Sequence, residues 1–108
     1  MEHVNISDIQ SLIMSGDIFW TEHMALRLRE RNIRRADVIA CVLNGEAIEQ
    51  YPGDSPYPSC LILGVSKKGR VMHVVCSLDS GISCCMITAY YPNNDKWEND
   101  FRTRKVVE

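Results

Sequence analysis

Apolar positions recur at helical spacing up to residue 44, and at alternating or continuous, strand-like spacing from residue 46 onward. Ile6, Ile9 and Ile13 form the first helical stripe. Ser7-Asp8-Ile9-Gln10 has the S-x-x-Q form of a capping box and Gly16 supplies a stop, so a helix is predicted over about 6–15. Thr21 can cap a second helix whose apolar side is Met24, Ala25 and Leu28, and Asn32 can take the left-handed conformation that ends it. In RADVIACVLN, residues 35–44, Ala36, Ile39, Val42 and Leu43 fall at helical intervals before Gly45, which predicts a third helix.

The period then changes. Glu46 to Tyr51 alternates, and PGDSPYP is a turn segment that no helix could cross. SCLILGVS and the β-branched RVMHVVCSL flank Lys67-Lys68-Gly69 and read as a hairpin. Leu78-Asp79-Ser80-Gly81 turns again, and ISCCMITAYY forms a last strand stopped by Pro92. The polar tail carries Trp97 and Phe101 as anchors. Helices followed by strands predict an α+β fold, with about three N-terminal helices on a curved sheet of about four antiparallel strands.

A length of 108 residues, 45% hydrophobic and 24% charged, suits a single domain, with its core at about 18–92 and a polar tail at 93–108. No segment has the apolar length of a membrane span, and MEHVNISDIQ lacks the pattern of a signal peptide, so a cytoplasmic location is expected. Five cysteines are an odd number without a C-x-x-C pair, which excludes a disulfide framework or zinc knuckle and predicts reduced core residues. A minority alternative is a cysteine nucleophile at Cys84 or Cys85 with His73 as base.

The net charge of −2 conceals a segregation along the chain. Residues 1–20 hold three acids and no base, and 36–58 hold four acids and no base. Residues 21–35 hold five arginines against two glutamates, and 59–92 add Lys67, Lys68 and Arg70 against Asp79. If the two basic zones meet in space they form an anion-binding face; otherwise they are a solvated helix face and a charged hairpin turn. Within the first zone His23, Arg27 and Arg31 stand four apart, a helical stripe about 80° wide and about 12 Å long.

His23 in a first helical turn would be kept neutral by the macrodipole, as a general base requires, or would rest against Trp20 as a structural residue. Alternation sets Met72, Val74, Cys76 and Leu78 on one apolar face of their strand, with His73 on the other. There it either packs with a hydrogen-bonded ring or lines a groove. Thr88 and Tyr90 share one side of the last strand, where they could contact a phosphate or stack a base, or simply serve as good strand formers. RNA cleavage through the 2′-hydroxyl needs a base, an acid and cations but no metal, and this set supplies those roles.

The pattern H-x-A-x-R-L-x-x-R-x-I from His23 to Ile33, a following helix, a strand with H-V-V and a last strand with I-T-x-Y resemble a family of small bacterial domains of unknown function. That family is similar to the RelE, ParE and BrnT toxins, within the barnase-, EndoU-, colicin- and RelE-like ribonucleases, and its members are often encoded beside an MqsA-like (YgiT-type) zinc-finger antitoxin. The resemblance covers roughly 18–92 and implies a RelE-like fold and a metal-independent endoribonuclease of a toxin–antitoxin module, acting on RNA, free or ribosome-bound. By position it assigns His23, Arg27, His73, Thr88 and Tyr90 to catalysis. Arg31, Lys67, Lys68 and Arg70 are expected to bind RNA phosphates. No cofactor is implied, and any zinc would belong to the antitoxin. Asn32 replaces the glycine that often ends the helix, and Arg34 stands where a Ser or Thr usually caps the next one. The rival expectation is a non-catalytic RNA- or protein-binding module of the same fold. Geometry separates the two: cleavage needs both histidines, Arg27 and Thr88 on one cleft, and a histidine sealed in the core removes its basis.

Overall fold

The computed structural model describes residues 3–79 and 82–106; Ser80 and Gly81 of the expected turn lie outside the described residues. The elements run α1 (Ile6–Met14), β1 (Ile18–Trp20), α2 (Glu22–Glu30), α3 (Arg35–Asn44), β2 (Glu46–Tyr51), β3 (Ser59–Val65), β4 (Val71–Asp79) and β5 (Ser83–Tyr90). The three helices and four of the strands are the elements expected, but the sheet is five-stranded and mixed, not four-stranded and antiparallel. Its order is β1-β5-β4-β3-β2, and the added strand β1 runs parallel to β5, with Phe19 opposite Cys85. Three residues are too few to show a period, and a parallel partner far along the chain leaves no local turn signal.

Caps set the helix ends. Asn5, not Ser7, caps α1: its side chain accepts the Ser7 N–H at 2.9 Å, and the Ser7 hydroxyl donates to the same oxygen at 2.7 Å. Thr21 caps α2 as expected, accepting the Met24 N–H at 2.9 Å. Asn32 takes φ 55°, the left-handed conformation that turns the chain from α2 into α3. Arg34 is the N-cap of α3 and makes no side-chain cap bond.

Met24 and Leu28 of α2, Ile9 and Ile13 of α1, and Val38, Cys41 and Val42 of α3 pack on Ile62, Met72, Val74, Cys76, Cys84, Met86 and Ala89. The buried stripe of α3 is thus rotated from the expected one: Ala36 and Leu43 face outward. The reason lies across the interface. A Cβ on Gly64 would stand 2.2 Å from the Cys41 carbonyl oxygen, so a bare β3 backbone receives α3 along Cys41. Burial also raises the Cys41 thiol pKa to about 12. All five cysteines are free, four of them buried and Cys85 half-buried.

Replacement of Gly64 by alanine is therefore expected to destabilise the fold by about 1–3 kcal/mol through overpacking. Chemical denaturation of the variant beside wild type measures this, and an unchanged midpoint would contradict the close contact.

A candidate anion-binding site at the helix turn and hairpin

The two basic zones meet. Arg31, Asn32 and Arg34 of the α2–α3 turn, Ala36 and Asp37 of α3, Ser66, Lys67, Lys68 and Arg70 of the β3–β4 hairpin, and Tyr91 line one open cavity of about 540 Å³. Five cations face one carboxylate, and that carboxylate is engaged: Asp37 accepts the Lys67 backbone N–H at 3.1 Å. This bond ties the hairpin to the first turn of α3, whose positive dipole end adds to the field.

Each wall is locally determined. The hairpin closes with Ser66 N–H to the Arg70 carbonyl at 2.8 Å and Gly69 N–H to the Ser66 carbonyl at 2.9 Å, with Gly69 at φ 82°. Arg70 lies over the Tyr91 ring, 3.7 Å from its centroid, a cation–π contact that holds the guanidinium at the cavity wall. Arg31 leaves the helix axis and donates to the Ala89 carbonyl at 2.8 Å and to the Thr88 hydroxyl at 3.2 Å. Those groups sit beyond the end of the short β1, so Arg31 covers the stretch of β5 that β1 does not pair.

The expected catalytic set is not assembled. His23 is exposed on α2, and the Trp20 ring carries Arg35 at 4.9 Å. Arg27 pairs with Glu30 at 2.9 Å on the same helix. His73 is fully buried and points to the sheet face away from the helices, so the two imidazoles do not share a cleft. The Phe101 carbonyl can only accept, so Nε2 donates to it at 2.7 Å, which leaves Nδ1 to accept from the Tyr90 hydroxyl at 3.1 Å. Trp97 stands edge-on to the ring at 4.6 Å. Of the two arrangements open to His73, the bonded, packed ring is found, with the C-terminal segment as its cover.

The cover is held by charge. Arg104 makes two bonds to Glu49, at 2.7 and 2.9 Å, and lies over Trp97; Arg102 pairs with Glu46. Glu49 also accepts the Tyr51 hydroxyl at 2.6 Å, and its carboxyl pKa is lowered chiefly by Arg104. Burial raises the Tyr90 phenol and, with Glu49, lifts the Tyr51 phenol to about 12. A cysteine–histidine pair is excluded by position: Cys85 lies five residues from Tyr90, the partner of His73, or about 16 Å along the strand. Its thiol pKa is raised by burial, the reverse of what a nucleophile needs.

Arg31, Lys67, Lys68 and Arg70 thus line one cavity, whereas His23, Arg27, His73, Thr88 and Tyr90 are not gathered in it. Arg34, marked in the sequence only as a missing cap, and Tyr91 also belong to the cavity. The five arginines of residues 21–35 include Arg34, and the period-two rule that joins Thr88 and Tyr90 puts Tyr91 on the opposite side. Among the described residues no three or more His, Cys, Asp or Glu side chains form a metal-binding group, and no helix is long and apolar enough to cross a membrane.

Burial lowers the His73 pKa below its ordinary 6.5, so the neutral ring is the folded form. Its contribution to stability is full above pH 6.5 and is lost as pH falls from there through the lowered folded value, because the unfolded chain takes up the proton first. Glu49, with a lowered carboxyl pKa, loses its contribution only below 4.5. Wild type is expected to lose stability already between these values, and His73→Asn to show a flatter profile there. Parallel profiles in denaturant titrations would contradict the buried neutral ring.

No match was found among curated proteins or among solved structures. The family described as a domain of unknown function, DUF4258, matches residues 20–91, which run from the end of β1 through Tyr91 and stop short of the cover over His73. Spanning two-thirds of the chain, with Arg31 and the hairpin cations inside it, that match shows that this protein belongs to the DUF4258 family.

Proposed function

We propose that this domain is an RNA-binding module that grips the phosphate backbone at the helix-turn and hairpin cavity. The observation that carries the reading is the convergence of Arg31, Arg34, Lys67, Lys68 and Arg70, from two separate basic zones, on one cavity of a chain whose net charge is −2. Gathering cations at one place in an acidic chain creates a local field that neither composition nor the average surface would supply. An extended polyanion fits a cavity open along the hairpin, since each phosphate contact releases condensed counterions and adds to affinity.

RNA is the polyanion favoured by the sequence resemblance to RelE-, ParE- and BrnT-type toxins. A bonded, buried His73 and an exposed His23 on opposite sides of the sheet support binding without cleavage. Base and acid must both reach the scissile phosphate for cleavage to proceed, and neither nitrogen of His73 is open to one.

Single-stranded RNA is expected to bind wild type with strong salt dependence. Neutralising Lys68 and Arg70 together should weaken binding across sequences and reduce the slope of log affinity against log salt by about 1.4, roughly 0.7 for each phosphate of the single strand left without its cation. Fluorescence anisotropy over a salt series measures both, with the recovered RNA run on a gel. An unchanged slope would sink the phosphate-grip reading, and cleaved RNA would sink the non-catalytic one.

A further inference from the structure

A second cavity adjoins the first, and its chemistry differs. Tyr91 lines both: on one side with Arg70, on the other with Tyr90, Trp97, Asn93, Asp95 and Lys96. This neighbour measures about 420 Å³, within the range of about 300–1,000 Å³ common for small-ligand sites. Tyr91 supplies a flat wall, with Tyr90 and the nearly sealed Trp97 beneath. An amide, a carboxylate, an ammonium and the Arg104 guanidinium supply hydrogen-bond acceptors and donors. The cationic cavity is suited to charge; this one is suited to a planar, hydrogen-bonding ring.

Its walls are fixed from beneath. The Tyr90 hydroxyl is anchored on His73, and Trp97 is 4% exposed, held between His73 at 4.6 Å and Arg104 at 4.6 Å. The loop over it is closed by the Asp95 N–H to the Asn93 side chain at 2.9 Å and by Asn94 to the Asn99 side chain at 3.0 Å. A preformed pocket of this kind loses little freedom when a ligand enters.

We infer that this cavity is a nucleobase subsite: a phosphate seated among Arg31, Lys68 and Arg70 places an adjoining, unstacked base against Tyr91, with the buried Trp97 forming the floor beneath it. The inference rests on the proposed RNA-binding reading and narrows it to single strands, because a paired base in a duplex cannot leave its stack to enter. Bases enter by stacking, with the rim groups bonding their edges.

The test uses the full chain and three probes: a short oligoadenylate, an abasic ribose-phosphate oligomer of the same length, and an RNA duplex. Wild type is expected to bind the oligoadenylate about tenfold more tightly than the abasic oligomer, the scale of one stacked base. Tyr91→Leu should bring that ratio towards one, and because Tyr91 also holds Arg70, the ratio is read at matched salt so that any change in the phosphate grip cancels. A Trp20→Phe protein, in which Trp97 is the remaining tryptophan, should change its emission on adding oligoadenylate and not on adding the abasic oligomer, a readout that needs no change in the pocket. Equal affinity for oligoadenylate and abasic oligomer, preference for the duplex, or unmoved Trp97 emission would overturn the subsite and leave the phosphate grip standing. Failure to bind any of the three would overturn both.

Discussion

The docking of α3 on β3 is the constraint from which the rest of the molecule follows. Gly64 admits the Cys41 carbonyl where any side chain would collide, and Asn44 closes the same contact by exchanging bonds with both backbone groups of Val65, at 2.9 and 3.0 Å. Once α3 lies along this line, its first turn reaches the β3–β4 hairpin, and Asp37 takes the Lys67 N–H. The left-handed Asn32 then carries Arg31 and Arg34 to the same place. Close packing of helix and strand backbones thus becomes a charge distribution, with cations from distant parts of the chain drawn to one mouth.

The other sheet face carries a different device. His73 stands among apolar strand residues, and a buried imidazole without partners would cost free energy. Tyr90 and the Phe101 carbonyl satisfy both nitrogens, while Trp97 and the Arg104–Glu49 pair hold the C-terminal segment over the ring. The same bonds stiffen the aromatic wall of the second cavity. The histidine acts here as a post on which the cover rests.

Much of this architecture was legible in the chain. The Thr21 cap, the tolerance of Asn32 for a positive φ, the missing side-chain cap at Arg34 and the period change after Gly45 all read directly from residue types, because caps and turns are local chemistry. So was the possibility that the two basic zones meet. What could not be read was long-range. β1 is three residues long and pairs in parallel with a strand more than sixty positions later. The stripe of His23, Arg27 and Arg31 had helical spacing, yet Arg31 lies past the end of α2 and turns to β5, so the stripe divides. His73 was correctly set opposite the core face, but its cover comes from a polar tail in which Trp97 and Phe101 were the aromatic signals.

The central claim is that the two basic zones act as one RNA-gripping surface. Amide chemical-shift mapping by NMR, with a short single-stranded RNA titrated into the isotopically labelled full chain, tests it most directly. The account predicts saturable shifts concentrated at the α2–α3 turn, the Lys67–Arg70 hairpin and Tyr91, with the exposed face of His23 and Arg27 silent. Shifts centred on His23 and Arg27, or no saturable shifts at all, would contradict it.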